Sequence, residues 1–266
     1  MTSYSALRLE RPAAGVALAT LDRPTRLNAI TFEMFREFRT LCDEVAADDD
    51  IRVLVLTGAG RGFCAGLDLD EAGQLPDMST VEMMAGQESW GEAVAAFHRL
   101  PKPVIAAVNG AAAGAGFSLA LAADIRLASP SARFNAAFVR IGLSGGDCGT
   151  SWFLPRIVGF GRASEILLTG RFVGADEALA IGLVNRVVPA EQLLDAAFEL
   201  AGQMAANTPF GVGLTKQVLG INVDAPSLHA ALQVENRNQV LTTRTSDMIE
   251  ALTAFREKRE PRFTGR

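Results

Sequence analysis

The chain of 266 residues is 49% hydrophobic and 21% charged and has a formal net charge of -5. This composition predicts a globular protein with a large core and argues against disorder. The negative charge, without runs of Lys or Arg, argues against nucleic acid or a membrane as partner and favours a small ligand. Three irregularly spaced cysteines and two histidines predict free thiols and no metal site. The N-terminus lacks the apolar segment of a signal peptide, so we expect a cytoplasmic protein.

The first hundred residues alternate strand and helix patterns. Residues 7–10 and 16–21 predict a hairpin, and a helix is expected after Thr31, which is a favourable N-cap. Residues 51–58 are apolar and β-branched, which is typical of a strand buried on both faces. Residues 81–99 predict a second helix.

The stretch from 103 to 124 carries no charge until Asp124. It predicts a buried strand over 104–108, a tight turn, and a helix from about 117 to 123. A membrane span has a similar length, but we discount it because the run is rich in Ala and Gly rather than Leu and Ile. The amides at a helix start lack partners within the helix and favour a ligand oxygen with negative charge. The alternative is that this stretch is ordinary packed core without a ligand.

The rest of the chain becomes helical. Strands alternate with helices through the first two thirds, which indicates α/β layers, and we place the division from a helical C-terminal part between residues 195 and 196. The predicted segments are a strand at 125–128, an irregular segment at 134–138, helices at 152–158, 162–169 and 175–181, a strand at 184–188, and helices at 191–207, 228–241 and 247–256.

Three glycine-rich turns, at 58–66, 110–116 and 142–149, each follow a strand-like segment. The first has the wrong spacing for a dinucleotide fingerprint, because its third glycine would fall at Phe63, and no phosphate-binding GK[ST] follows. Such turns commonly expose backbone amides to a ligand. We therefore predict that the three turns converge on one pocket.

Four segments in order resemble the crotonase, or enoyl-CoA hydratase/isomerase, superfamily: RPTRLNA at 23–29, FCAGLDL at 63–69, the stretch from 102 to 125, and AFREKR at 254–259. The resemblance implies an α/β fold of the crotonase type, a spiral of β-β-α units with a helical C-terminal trimerisation part. It also implies an enzyme that acts on an acyl-CoA thioester and needs no cofactor beyond the CoA moiety. A homotrimer or a dimer of trimers is expected on the same basis.

The resemblance assigns site residues by matching position. The amides of Leu67 and Ala115 would form an oxyanion hole that stabilises a thioester enolate. Phe255 and Lys258 match positions that reach the CoA of a neighbouring subunit, with an exposed amphipathic tail as the alternative. The remaining matches are Arg26, Leu27, Ala65, Leu67, Asp68 and Leu69 along the CoA site, and Gly114, Ser118 and Phe138 in the substrate pocket.

The sequence departs from the hydratases of this family at both catalytic glutamates. The matching positions hold Ser118 and Phe138, and a phenylalanine cannot transfer a proton. Asp147 instead resembles the aspartate that dienoyl-CoA isomerases and chlorobenzoyl-CoA dehalogenases place in this turn, and we predict that it acts as acid and base. An N-cap for the following helix is its structural alternative.

Other functions remain open at this point. Thioester hydrolysis, dehalogenation and acyl-CoA binding without catalysis suit the same fold, although His98 does not match the dehalogenase histidine and is more typical of a helix face. A rival from another class is a serine hydrolase, because residues 142–146 spell G-x-S-x-G. Its triad would combine Ser144 with Asp176 or Asp195 and then His229.

Overall fold

The computed structural model describes residues 4–266. Within this range the chain forms two sheets and a set of helices that lie around and between them. The strands are β1 Leu7–Ala13, β2 Gly15–Leu21, β3 Ile51–Gly58, β4 Gly62–Cys64, β5 Val104–Val108, β6 Ala111–Ala113, β7 Ile125–Ala128, β8 Arg133–Asn135, β9 Val173–Gly174 and β10 Arg186–Val187. The helices are α1 Phe32–Ala47, α2 Leu69–Ala72, α3 Thr80–Arg99, α4 Ala115–Ala122, α5 Thr150–Val158, α6 Phe160–Thr169, α7 Ala175–Ala180, α8 Leu193–Ala205, α9 Pro209–Asn222, α10 Leu228–Thr242 and α11 Ser246–Glu257.

The larger sheet has the strand order β1-β2-β3-β5-β7-β10, and the smaller one has the order β4-β6-β8-β9. In the larger sheet only the β1/β2 hairpin is antiparallel. The pairs β3/β4, β5/β6 and β7/β8 each place one strand in the larger sheet and the next in the smaller one before a helix follows. This β-β-α spiral confirms the predicted fold class.

The early elements form as their local sequence predicts. The hairpin pairs Leu7 with Leu21. The Thr31 side chain caps α1 by accepting a hydrogen bond from the Met34 amide at 3.2 Å. Strand β3 lies between parallel neighbours β2 and β5 and is buried along almost its whole length, because its apolar residues face helices on both sides.

The uncharged stretch becomes β5, β6 and α4. Helix α4 begins at Ala115, two residues before the predicted start, so that prediction was wrong. The reason is Gly114, which precedes the helix at φ 52°, a conformation that only glycine adopts readily. Ala115 is therefore the first residue of the helix and contributes one of its unpaired amides.

Other boundaries also differ from prediction. Strand β8 was missed, β10 is shorter than expected, and α9 was missed altogether. The predicted division at 195/196 falls inside α8, whose buried Leu193, Ala197 and Ala201 pack on the larger sheet. Among residues 4–266, no helix combines the length and the apolar character needed to cross a membrane.

Candidate active site

The first glycine-rich loop, residues 58–66, is held by one buried side chain. Asn28 Nδ2 donates to the carbonyl oxygens of Ala59 at 2.9 Å, Gly62 at 2.8 Å and Phe63 at 3.2 Å. Its Oδ1 accepts from the Arg23 amide at 3.0 Å. Because a buried carbonyl without a donor costs free energy, this single amide stabilises the path of the whole loop.

The glycines around this loop are required by close backbone contacts. A Cβ atom at Gly58 would lie 2.3 Å from the Gly62 oxygen, and one at Gly116 would lie 2.3 Å from the Cys64 oxygen. These distances are shorter than any real Cβ contact. Burial raises the pKa of the Cys64 thiol to about 12, so this thiol stays protonated at neutral pH and is a packing group.

The two predicted donor amides lie on segments in contact with each other. A Cβ atom at Gly66 would be 3.6 Å from the Ala115 nitrogen and 2.8 Å from the Ala113 oxygen. Within the part of the chain that the structure describes, the amides of Leu67 and Ala115 donate to no protein acceptor. The predicted oxyanion hole requires two such unpaired N–H groups, and their use by a ligand stays a prediction.

The segments predicted to line the CoA site form one continuous rim. The Leu27 carbonyl accepts from the Ala65 amide at 3.0 Å, and Leu27 has a left-handed φ of 51°. Arg26 forms an exposed ion pair with Asp70 at 2.9 Å. Leu69 opens α2 with 82% of its surface exposed, so the rim presents both a cation and an apolar side chain to solvent.

The Asp68 side chain is buried next to this rim, and a contact of this position with CoA stays a prediction. Its buried carboxylate pairs with Arg23 at 2.8 Å and caps α2 by accepting from the Asp70 amide at 3.0 Å. Burial alone raises the pKa of Asp68, but these two hydrogen bonds and the positive charges of Arg23 and Arg26 together outweigh burial, and the net pKa shift is downward. The ionised carboxylate therefore stabilises the local fold.

Asp147 lies in the turn at 142–149, between a short 3-10 helix at Ala137–Ile141 and α5. Its Oδ1 accepts from the Gln87 side-chain amide and from the Cys148 amide, the latter at 2.7 Å. The Cys148 side chain also hydrogen-bonds the Asp147 carboxylate, and burial together with the Asp147 charge raises the pKa of that thiol. Since α5 is capped by Gly149 without a side-chain bond, the alternative that Asp147 is the N-cap was wrong.

Gln87 is a site residue that sequence reasoning missed. It lies in the middle of α3, sixty residues before Asp147, and no motif connects the two segments. The structure brings them together because α3 and α5 flank the same cleft.

Ser118 and Phe138 are buried next to the turn at 110–116, and the Ser118 hydroxyl also reaches the turn at 142–149. The Ser118 hydroxyl lies 2.5 Å from Thr150 Oγ1 and donates weakly to the carbonyls of Gly114 and Asp147, each at 3.3 Å. A Cβ atom at Gly114 would lie 3.6 Å from the Phe138 ring. The serine thus links α4 to the Asp147 turn, and its contact with substrate stays a prediction, as does that of Phe138.

A cleft of about 510 Å³ opens beside Asp147, between α3 and α5. His98 lines the same cleft, where its ring packs edge-on against Trp152 and Phe153. Burial, and after it the charge of Lys216, lower the pKa of His98, so the imidazole is neutral at pH 7. Within residues 4–266, no three His, Cys, Asp or Glu side chains lie close enough to hold a metal ion.

Comparison with known proteins agrees with this architecture. The profile of the enoyl-CoA hydratase/isomerase family matches residues 11–266. The chain belongs to this family. It is 43% identical to a probable enoyl-CoA hydratase of Mycobacterium tuberculosis, over 99% of this chain and 94% of the relative. It is also 43% identical to the 1,2-epoxyphenylacetyl-CoA isomerase of Escherichia coli K12, over 95% and 96% of the two chains. The crystal structure of an enoyl-CoA hydratase from Bacillus anthracis superposes with a TM-score of 0.93 at 33% identity, over 98% of this chain and all of the other.

The enoyl-CoA hydratase/isomerase fold does not provide a nucleophile elbow at Ser144. A 3-10 helix rather than a buried strand precedes the turn, and the Ser144 hydroxyl accepts from the Gly146 amide at 3.2 Å. His229 is exposed at the start of α10, where it contacts Gln233 at 3.4 Å in the same helix. The serine hydrolase alternative therefore lacks the strand–turn–helix context that it requires.

The C-terminal tail of this family member docks far from loop 58–66. Arg52, near the start of β3, donates to the Phe263 carbonyl at 2.6 Å, whereas the loop begins at the other end of that strand, six residues or about 20 Å away. Phe255 is 84% exposed, and Lys258 ends α11 in a left-handed conformation. Their contact with the CoA of a neighbouring subunit stays a prediction.

Proposed function

We propose that this family member isomerises unsaturated acyl-CoA thioesters through an enolate, with Asp147 as the group that moves the proton. The observation that carries the proposal is the position of the Asp147 carboxylate at the edge of the cleft, where the Gln87 side-chain amide and the Cys148 backbone amide fix Oδ1. A positioned carboxylate of this kind is suited to general acid–base catalysis.

The proposed reaction balances without a cofactor. Asp147 Oδ2 takes a proton from a carbon next to the double bond, and the electron pair moves into the thioester carbonyl to give an enolate oxygen. The amides of Leu67 and Ala115 donate to that oxygen, and the start of α4 adds its positive dipole end. The protonated Asp147 then returns the proton to a different carbon, which shifts the double bond.

Isomerisation is favoured over hydration because of the residues that replace the two hydratase glutamates. Phe138 offers no group that could orient or deprotonate water, and the Ser118 hydroxyl is engaged by Thr150. The similarity to an isomerase of 1,2-epoxyphenylacetyl-CoA, a CoA thioester, supports an acyl-CoA substrate and chemistry without net addition of water. Assembly as a trimer and a cytoplasmic location stay predictions; light scattering measures the first.

The variant Asp147→Asn tests the proposal because it keeps the shape of the side chain and removes the base. We expect double-bond migration, and uptake of deuterium at the α-carbon in D2O, to fall by about 10²- to 10⁴-fold. Nuclear magnetic resonance and mass spectrometry of the thioesters measure the two rates. Asp195→Asn, on an exposed position of α8, is the matched control and should retain the wild-type rates. Unchanged rates in Asp147→Asn, or hydration as the only wild-type reaction, would show that the assignment is wrong.

A further inference from the structure

One face of α3 lines the cleft with a regular stripe. Gln87, Gly91, Ala95 and His98 follow one another at helical spacing and all face this space. The adjacent face of the helix is packed in the core through Trp90, Val94 and Phe97. The stripe begins where Gln87 holds Asp147 and ends where His98 meets the rings of α5.

Gly91 is unusual because packing does not require it. Glycine inside a helix is less stable than alanine, so it usually marks a close contact. Five residues earlier, a Cβ atom at Gly86 would lie 2.9 Å from the Trp90 ring, which is such a contact. A Cβ atom at Gly91 would meet no atom within 4 Å. The effect of glycine here is to keep the cleft open, one helical turn from Gln87.

The wall opposite Gly91 and Ala95 is aromatic. Trp152 and Phe153 pack edge to face at 5.1 Å between ring centroids, and His98 lies 5.4 Å and 5.1 Å from them. Arg156 covers one face of the Trp152 indole at 4.0 Å and fixes its orientation. Aromatic groups favour edge-to-face and offset contacts, so this wall suits a further ring.

The dimensions also fit a ring. Benzene binds in an apolar cavity of about 150 Å³, and this cleft has about 510 Å³. Gln87 and His98 are eleven residues apart, which corresponds to about 16 Å along the helix axis. A ring beside Gly91 and Ala95 would therefore lie one to two helical turns along α3 from Gln87, which holds Asp147.

We propose that Gly91 and Ala95, together with Trp152 and Phe153, form a slot that selects acyl-CoA thioesters whose acyl group carries an aromatic ring. This inference rests on the proposed function, because the slot is placed relative to Asp147. Gly91 is the specificity-determining position: any larger side chain there fills the space that the ring occupies.

The test compares two 3-enoyl-CoA thioesters, 3-butenoyl-CoA and 4-phenyl-3-butenoyl-CoA, by deuterium uptake at the α-carbon. The wild type should favour the phenyl thioester in kcat/KM by about tenfold or more, and Gly91→Leu should lower that preference by about tenfold, a size typical of a change in pocket shape. If Gly91→Leu keeps the wild-type preference, or if the wild type prefers 3-butenoyl-CoA, the slot proposal is wrong.

Gly202→Leu, within α8, is the matched control, because a Cβ atom there also meets nothing within 4 Å. It should leave the preference unchanged, and thermal unfolding confirms that both variants fold. If the wild type exchanges neither thioester, the proposed function fails on its own. Calorimetry then measures the Kd values of phenylacetyl-CoA and acetyl-CoA for the wild type and for Gly91→Leu. The slot proposal requires that Gly91→Leu lowers the preference for the phenyl thioester. An unchanged ratio of the two Kd values contradicts the slot proposal.

Discussion

Two of the three glycine-rich turns, at 58–66 and 142–149, are built in different ways. Loop 58–66 is fixed by asparagine side chains, with three carbonyls held by the buried Asn28 and the Gly60 carbonyl held by the half-buried Asn109 at 2.9 Å. Its glycines are dictated by backbone contacts, as at Gly58. The turn at 142–149 is exposed over much of its length, and a Cβ atom at Gly142 would meet nothing within 4 Å.

This difference corresponds to two parts of the proposed chemistry, stabilisation of the enolate oxygen and transfer of the proton. In the proposed reaction the loop and α4 would supply backbone N–H groups, whose use does not depend on side-chain identity, and any shift of the backbone would misplace them. The turn would supply the side chain that carries the proton, and that residue could change without rebuilding the core. Relatives equally similar to this chain bear the names of a hydratase and of an isomerase, which is consistent with a common frame and a variable proton carrier.

The largest effect is expected from Gly58→Ala. The added methyl group would collide with the carbonyls of Gly62 and Phe63 at 2.3 Å, so we expect a loss of about 3 kcal/mol or more in the free energy of unfolding, measured with urea. Gly142→Ala is the comparison: only its φ of 84° opposes alanine, and we expect about 1–2 kcal/mol. Equal losses at both positions would contradict the contrast between the two turns.

A smaller effect is expected from Gln87→Leu, which removes a donor to Asp147 but keeps a side chain of similar size. If Gln87 positions the carboxylate, its hydrogen bond matters mainly in the transition state. Its removal should then lower kcat about tenfold and change KM little. Gln203→Leu, on the exposed face of α8, is the control. A rise in KM without a change in kcat would assign Gln87 to substrate binding instead.

The smallest effect concerns Asp68, whose folded pKa is lowered. Its ionised form therefore stabilises the fold above the unfolded pKa of about 4, and this contribution is lost as the pH falls further through the folded pKa. The stability difference between wild type and Asp68→Asn should be full near neutral pH and shrink below pH of about 4. Urea unfolding at several pH values measures it; a difference independent of pH would exclude the ionised carboxylate as its source.

Much of the fold follows from local sequence. The Thr31 cap and the apolar run of β3 were predicted because each signal lies within a few neighbouring residues. Strand β8 was missed because three residues are too few to show alternation, and α9 because glycines interrupt its apolar pattern. Asp147 was found through the family resemblance, whereas Gln87 depends on a contact between distant segments.

The contacts of the Ser118 hydroxyl bear on which substrate carbon would exchange a proton in the proposed reaction. This hydroxyl touches the carbonyls of Gly114, which precedes the donor amide, and of Asp147, which carries the base. In the proposed reaction, this one short side chain would set the spacing between the enolate oxygen and the carboxylate, and with it which substrate carbon exchanges the proton. Ser118 would then govern regiochemistry without touching the substrate.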